Sequence, residues 1–194
     1  MNRILILSDD AFSLGRFRRE LIATMLASRM EVILGIPAGE DAAALEALGC
    51  KLIDINTQKE NSNRSLTAKY RQILKSEKPD IVVTYGRRPN ICGGTSCRKE
   101  RIPHCANVQG MGDLADKTLS GLLLRHSYRT ALKKSKVVFF ENTASAAFFI
   151  KKEIIRKAQQ VTLPGAGVNL SSYPLQPYPD NDPIRFLYLG RMNQ

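Results

Sequence analysis

RILILS, the stretch from Arg3 to Ser8, is apolar at every position between its two end residues. Strands with one face in water alternate apolar and polar side chains, so an unbroken apolar run predicts a strand that is buried on both faces. Strands of this kind occur in parallel sheets that helices cover on both sides. The stretch therefore favours an α/β fold.

Similar apolar runs recur along the chain, and helical patterns separate them. This alternation predicts a doubly wound, Rossmann-like parallel sheet with helices on both faces, whose ligands bind beyond the carboxyl ends of the strands. The further predicted strands are 32–36, 52–55, 81–84, 105–108 and 137–140, and the predicted helices are 16–29, 41–48, a segment through Tyr70 and Leu74, 90–99, 118–133 and 143–157.

A change of composition follows the last of these elements. Residues 163–183 contain five prolines and two glycines, which indicates an irregular linker. Residues 184–189 are apolar except for one arginine and again predict a buried strand. We therefore expect a Rossmann-like domain at 1–163, a linker at 164–183, and the first strand of a further, missing domain at 184–194.

Length and composition limit the class of protein. The chain has 194 residues, 43% of them hydrophobic, and its longest apolar runs are far below the ~18 residues of a membrane span. Met1 leads almost directly into the first predicted strand, so we expect a cytoplasmic protein without a targeting segment. In that setting the cysteines are expected to be free thiols: Cys50, Cys92, Cys97 and Cys105.

The net charge of +11 is concentrated in one part of the chain, because residues 125–157 hold nine Lys or Arg residues against two Glu. Such a surface attracts nucleic acid, anionic lipid or phosphorylated small molecules alike, and it also serves as a solvated face. The predicted helix at 143–157 fits a membrane-surface helix and a core-packed helix with a basic outer face equally well. Charge alone does not choose among these partners.

The loops after the first and fourth predicted strands carry candidate binding residues. Gly15 follows the first strand without the G-x-G-x-x-G pattern of dinucleotide sites, and it either admits a phosphate or sugar or serves the turn. After the fourth strand, Arg87 and Arg88 are placed to hold a phosphate or carboxylate, or else they are solvated. Pro89 fits the first turn of the next helix, and the glycines at 93 and 94 let that helix approach the sheet.

Two further features concern polar residues near the fifth strand. The segment Asn107-Val-Gln-Gly-Met-Gly112 ends that strand with two glycines, as a loop that passes close to a ligand does. His104 and Cys105, with Cys92 and Cys97 nearby, suggest zinc, but their spacing falls partly on a helix and no C-x2-C pair exists, so we expect no metal. His126 lies among leucines on a predicted helix and is expected to be a packing or surface residue.

Five segments together resemble family 4 glycosyltransferases of the GT-B fold, most closely the bacterial enzymes that build capsular, O-antigen or exopolysaccharide sugars. The pairing of PGAGVNL with FLYLGR at linker distance is the most specific part of the resemblance. The segments are PDIVVTY (79–85), IPHCANVQGMG (102–112), ALKKSKVVFF (131–140), LPGAGVNLSSYP (163–174) and FLYLGR (186–191).

This resemblance implies the acceptor-binding half of a two-domain enzyme. In such enzymes the second domain grips the nucleotide sugar, and it carries a glutamate pair and the basic residues for the diphosphate, so the present chain alone is expected to be inactive. The implied reaction is metal-independent, retaining transfer of a sugar to a lipid-linked saccharide at the inner face of the cell membrane. Many relatives have a histidine where this chain has Gln109. The implied cleft residues are Gly15, Arg16, Arg87, Arg88, Asn107, Gln109 and Gly110.

Other functions and partners stay open beside this one. A non-catalytic acceptor-binding subunit of a split glycosyltransferase fits the same residues. A nucleic-acid binder rests on charge alone, without a recognition motif, and we do not expect nucleic acid as a partner. The basic stretch at 125–157 predicts peripheral membrane contact, and an exposed terminal strand predicts pairing into a homodimer.

Overall fold

The protein folds around one parallel sheet of seven strands. The computed structural model describes residues 2–57, 60, 62–116, 118–177, 183 and 185–188. The strand order is β3-β2-β1-β4-β5-β6-β7, and every neighbouring pair is parallel. This arrangement confirms the predicted doubly wound, Rossmann-like sheet. The strands are β1 (Arg3–Ser8), β2 (Glu31–Ile36), β3 (Lys51–Asp54), β4 (Ile81–Tyr85), β5 (His104–Val108), β6 (Val137–Phe140) and β7 (Gln160–Thr162).

Helices cover both faces of β1, as its apolar sequence predicts. Ile4 and Ile6 pack in one hydrophobic cluster with the helices α1 to α3, whereas Leu5 and Leu7 pack in a second cluster with α4 and α5. Adjacent side chains of a strand point to opposite faces, so the two clusters lie on opposite sides of the sheet. The helices are α1 (Ala11–Phe17), α2 (Arg19–Ala27), α3 (Glu40–Glu46), α4 (Asn63–Glu77), α5 (Arg87–Glu100), α6 (Leu119–Leu132) and α7 (Thr143–Lys151).

A third cluster joins α6 and α7 to β5 and β6. Phe149 of α7 lies at its centre, with edge-to-face ring contacts to Tyr128 at 5.6 Å and to Phe140 at 5.1 Å between centroids. The helix predicted at 143–157 fitted either a membrane-surface helix or a core-packed helix, and in the structure its Phe149 is packed in the core. None of the helices in the described part of the chain combines the length and the apolar character that crossing a bilayer requires.

Two predicted helices had wrong boundaries, and one strand was not predicted. The single helix predicted at 16–29 is interrupted at Arg18, whose side chain turns into the protein. The helix predicted at 143–157 ends at Lys151, where Arg129 donates hydrogen bonds to the Lys152 and Glu153 carbonyl oxygens at 2.6 and 2.9 Å. Strand β7 was not predicted, because its Gln and Thr side chains lack an apolar pattern and the strand is held by backbone pairing with β6.

The C-terminal part of the chain is exposed where the structure describes it. Residues 163–177, 183 and 185–188 contain no helix or strand, and the side chains of Phe186, Leu187 and Tyr188 are open to solvent. The strand predicted at 184–189 has both of its ends outside the described residues. The proposed division into domain, linker and further strand therefore stays a prediction.

Candidate ligand-binding site

A cavity of about 240 Å³ opens at the carboxyl edge of the sheet, and we call it the edge pocket. It lies where the turn after β4 meets the connection from β5 to α6, because Tyr85 and Asn107 are neighbours in the strand register. The pocket brings together four of the residues implied by the resemblance. Its described lining residues are Gly86, Arg87, Asn90, Asn107, Val108, Gln109, Gly110, Met111, Gly112, Leu114 and Tyr128.

Asn107 has an unsatisfied acceptor in this pocket. The residue is 3% exposed, and none of the described residues gives its side-chain oxygen Oδ1 a hydrogen bond. An unpaired buried carbonyl oxygen costs about 1–3 kcal/mol, so native proteins rarely keep one without a water or ligand to satisfy it. Asn107 Oδ1 therefore has an unused acceptor for a hydroxyl or amide group, on a residue that lines the pocket.

A chain of buried hydrogen bonds fixes Asn107 from behind. The side-chain nitrogen Nδ2 of Asn90 donates to the main-chain carbonyl oxygen of Asn107 at 2.8 Å. This leaves Asn90 Oδ1 to accept from the Thr84 hydroxyl at 2.6 Å. The single Thr84 proton is then used, so His104 Nε2 donates to Thr84 at 2.9 Å and its Nδ1 accepts from Ser135 at 2.8 Å. The hydrogen bonds therefore all run in one direction, from Ser135 through His104, Thr84 and Asn90 to Asn107.

His104, the histidine of this hydrogen-bond series, is neutral at pH 7. Burial lowers the pKa of His104 to about 4, because the surrounding core does not solvate an imidazolium ion. His104 therefore holds a fixed tautomer at neutral pH and acts as a structural part of the hydrogen-bond chain. Both ring nitrogens of His104 are engaged, by Thr84 and by Ser135.

Helix α5 comes unusually close to the sheet, which puts its first turn against β5. A Cβ atom built at Gly93 would lie 2.9 Å from Thr84 Cγ2 of β4, and one at Gly94 would lie 3.0 Å from His104 Cε1 of β5. A side chain at either position would crowd these atoms, which fits the close approach of the helix that the two glycines predicted. Gly86, just before the helix, has a φ of 96°, and a Cβ there would collide with the Asp9 carboxylate.

The two adjacent arginines of α5 have different surroundings. Arg87 is exposed and lines the edge pocket. Arg88 instead donates to the Glu60 carbonyl oxygen at 3.1 Å and to Asn63 Oδ1 at 3.2 Å, and also to the Thr57 carbonyl oxygen. Arg88 thereby fixes the connection between β3 and α4, away from the pocket.

The residues implied after β1 lie elsewhere. The nearest described atom to a Cβ built at Gly15 is Asp41 Cβ at 3.9 Å, so this glycine packs α1 near α3. Arg16 is exposed in the last turn of α1. Neither is among the described residues that line the edge pocket.

Arg18 is a candidate residue that sequence analysis missed. It is 7% exposed, and its guanidinium binds Glu141 with 2.5 Å between Nη2 and Oε1 and lies 5.3 Å over the Tyr85 ring. With Asp9, Tyr85 and Gln109 it lines a smaller cavity of about 80 Å³ beside the edge pocket. The signal available in the sequence was Glu141, a lone acid directly after the sixth apolar run.

Asp9, Asn90 and Tyr128 were also missed. Burial raises the pKa of Asp9, while the charges of Arg87 and Arg88 oppose that rise. Burial raises the pKa of Tyr128 to about 12, so its hydroxyl stays protonated and able to donate at neutral pH. Of these three residues, only Asn90 could have been found from the sequence, because it follows a proline in the first helical turn after β4.

The pocket offers binding groups more clearly than a catalytic set. Asn107 supplies an acceptor, Gln109 an amide, and Arg87 a cation, which together suit a hydroxylated ligand that carries negative charge. The described residues contain no group of three or more His, Cys, Asp or Glu side chains that could hold a metal ion. All four cysteines are free and buried.

Comparison with known proteins gives matches of fold. No protein-family model and no curated protein matches the chain. A glycosyltransferase from Rickettsia africae matches with a TM-score of 0.69 and 17% identity, covering 91% of this chain and 46% of its own. HepE from Anabaena, in complex with UDP and glucose, matches with a TM-score of 0.67 and 20% identity, covering 91% and 47%.

The fold also occurs in proteins with a different named activity. A putative UDP-N-acetylglucosamine 2-epimerase from Listeria monocytogenes matches with a TM-score of 0.63 and 13% identity, covering 81% of this chain and 43% of its own. Identities this low show a shared fold and no more. The chain thus has the Rossmann-like fold of the N-terminal half of GT-B proteins, and it spans about half the length of these structures.

Proposed function

We propose that this chain is the acceptor-binding domain of a glycosyltransferase that moves a sugar from a nucleotide sugar to a lipid-linked saccharide. The resemblance to family 4 enzymes of polysaccharide biosynthesis supports the proposal, and so does the fold shared with a glycosyltransferase and with a protein bound to UDP and glucose. Retention of the anomeric configuration is part of the proposal and rests on that resemblance.

The observation that carries the proposal is that Asn107, whose buried side-chain oxygen has no described hydrogen-bond partner, lines the edge pocket. A sugar hydroxyl is a donor that would satisfy it without introducing charge into the buried wall. Gln109 and Arg87 lie at the same pocket, where an amide can bind a second hydroxyl and a guanidinium can attract a phosphate. The pocket is therefore suited to the reacting end of an acceptor saccharide.

The proposal leaves the chemical step to a second domain. The matched structures are about twice as long as this chain, which fits a donor-binding half that supplies the catalytic groups and stabilises the leaving diphosphate without a metal ion. Binding of the acceptor and closure of the two halves would then bring its hydroxyl to the donor sugar. We expect the 194-residue chain alone to bind the acceptor and to transfer no sugar.

Contact with the inner face of the cell membrane is a further part of the proposal. Leu119, Leu122 and Leu123, at the start of α6, share one face of the helix and are 73%, 53% and 60% exposed. They adjoin the predicted basic stretch, whose Arg125 and Arg129 donate to backbone carbonyl groups within the protein. We infer that these leucines, more than the arginines, would enter the lipid surface.

The alternative is an acceptor-binding subunit of a split glycosyltransferase. The exposed side chains of Phe186, Leu187 and Tyr188 favour it, because exposed apolar side chains are suited to association with another chain. Copurification of a donor-binding subunit that restores transfer would support this alternative. A clean monomer in light scattering would argue against the predicted homodimer.

The test is a transfer assay with the gene product at its natural length. Membranes from the source cells supply the lipid-linked acceptors, and labelled nucleotide sugars are supplied one by one. We expect label in the lipid fraction, reduced about tenfold or more by Asn107→Leu, the equivalent of about one lost hydrogen bond. Gln72→Leu on the exposed side of α4 is the control. Conversion of the nucleotide sugar to an epimer without transfer would contradict the proposal.

A further inference from the structure

A groove runs along the outside of the helical layer formed by α4, α5 and α6. Eight of the 14 residues of α5 are buried, whereas α4 and α6 bury four of 15 and four of 14. Helix α5 lies deeper than its neighbours because Gly93 and Gly94 let it approach the sheet. The result is a groove of about 570 Å³ with α5 as its floor.

The groove is basic and rich in hydroxyl groups. Its cationic residues are Arg64 and Arg71 of α4 and Lys99 of α5, and no carboxylate is among the described residues that line it. Arg71 also pairs with Glu100 at 2.6 Å, so the groove keeps most but not all of its positive charge. The other described lining residues are Asn63, Thr67, Ala68, Ile91, Thr95, His126, Ser127 and Thr130.

The groove is next to the edge pocket. Ile91 and Ser127 line the groove, and the residues beside them in sequence, Asn90 and Tyr128, line the pocket. From Ile91 to Lys99 the floor helix rises by about 12 Å. A ligand whose end occupies the pocket could therefore continue into the groove as a short chain.

The residues that line the groove distinguish between two classes of anionic ligand, single-stranded nucleic acid and acidic oligosaccharide. Single-stranded nucleic acid is usually bound by aromatic side chains on which the bases stack, and the described lining contains no Phe, Tyr or Trp. Hydroxyl and amide groups between cations instead match a ligand that alternates hydroxyl groups with carboxylates. Ile91 and Ala68 are the apolar residues of the described lining, and Ala68 is exposed to the C–H face of a sugar ring.

We propose that this groove binds a short acidic oligosaccharide, the part of the acceptor that follows the residue held in the edge pocket. The guanidinium groups and Lys99 would bind uronate carboxylates, and the threonine and serine hydroxyls would bind sugar hydroxyls. The inference rests on the proposed function for the identity of the saccharide as acceptor. The binding itself belongs to this chain and is measurable without a donor domain.

Calorimetry with tetragalacturonic acid and with neutral maltotetraose tests the groove on the 194-residue chain. We expect the acidic tetrasaccharide to bind at least tenfold more tightly, and the preference to shrink as salt rises from 50 to 200 mM, because two or three charge pairs are screened. The double variant Arg64→Gln with Lys99→Gln should lower that affinity about tenfold. Equal affinity for the two sugars would overturn the proposal.

The matched control removes the same charge elsewhere. Lys133→Gln with Lys134→Gln alters two exposed lysines after α6, outside the described lining of the groove, and should change affinity less than twofold. An equal loss of tetragalacturonate affinity in both double variants would show general charge attraction and would overturn the proposal that the groove binds the saccharide. Groove binding and sugar transfer are measured separately, so a failed transfer assay with intact groove binding would remove the proposed function alone.

Discussion

The connections after β1 and after β4 end at the same edge of the sheet, and each leads through a short polar turn into a helix with glycine and arginine. After β4 the helix lies against the sheet at Gly93 and Gly94, and its first turn joins the edge pocket. After β1 a Cβ atom at Gly15 would meet only Asp41 Cβ, at 3.9 Å, and Arg16 is exposed to solvent. The distance between helix and sheet, more than residue type, decides which helix lines the edge pocket.

The two connections also differ in how their polar groups are held. Asn90 and Thr84 belong to a buried chain of hydrogen bonds that reaches His104. Asp10 after β1 instead caps its own helix by accepting from the Ser13 backbone N–H at 3.2 Å. A rigid, desolvated wall therefore exists at one connection and a locally satisfied turn at the other.

The largest expected effect is the pH dependence of stability from His104. Burial lowers its pKa from 6.5 to about 4, so between these values the unfolded state binds more protons and stability falls as pH falls. The full loss is about 3 kcal/mol. Urea unfolding at pH 7 and pH 4.5 measures this loss of stability. The same measurement on His104→Gln gives the pH dependence that comes from the carboxylates, which is subtracted. A titration of the His104 ring by NMR with a midpoint near 6.5 would contradict the account.

The next effect separates two arginines of the β1 connection. Arg18→Gln should cost about 2 kcal/mol, because it leaves Glu141 half-buried without its partner and removes the contact with Tyr85. Arg16→Gln should change the free energy of unfolding by less than about 0.5 kcal/mol, as exposed substitutions usually do. Equal effects in urea unfolding would show that Arg18 is not the internal residue described here.

A pair of glycine substitutions tests the close approach of α5 directly. Gly94→Ala should destabilise the protein by about 1–2 kcal/mol, since its Cβ would press on the Ala131 carbonyl oxygen and on His104. Gly15→Ala should stabilise it by about 0.5 kcal/mol, because the added Cβ would make only an ordinary contact with Asp41 Cβ at 3.9 Å and alanine favours a helix. The comparison fails if both variants shift the thermal midpoint in the same direction.

The smallest effect concerns the pocket itself. Asn107→Leu removes an oxygen that has no described partner, so the lost polar group costs little and the free energy of unfolding should change by less than about 1 kcal/mol. Differential scanning calorimetry measures this change. A loss of several kcal/mol would mean that Asn107 is a structural residue and that its effect on transfer says nothing about a ligand.

Much of the fold could be predicted because buried parallel strands have a distinct sequence pattern. The runs that became β1 to β6 are mostly apolar, whereas β7 pairs through its backbone at the sheet edge and left no such pattern. The break at Arg18 depends on Glu141, a residue 123 positions away, and local propensity does not report such contacts.

The candidate site shows the same limit. Asn107 and Gln109 could be placed because they lie at or just after the end of a strand. Arg87 and Arg88 could not be told apart, since the direction of a long side chain depends on which acceptors surround it in three dimensions. Gly15 shows that a glycine in a loop or helix beside a strand end does not by itself indicate a ligand.

Hydrogen–deuterium exchange on the 194-residue chain tests the central claim most directly. Lipid-linked saccharides extracted from source membranes are added in detergent, with detergent alone as the control. The account predicts slower exchange at residues 86–92 and 107–112 and unchanged exchange at residues 9–17. Protection at 9–17 without protection at 107–112 would contradict it and move the acceptor site to the β1 connection.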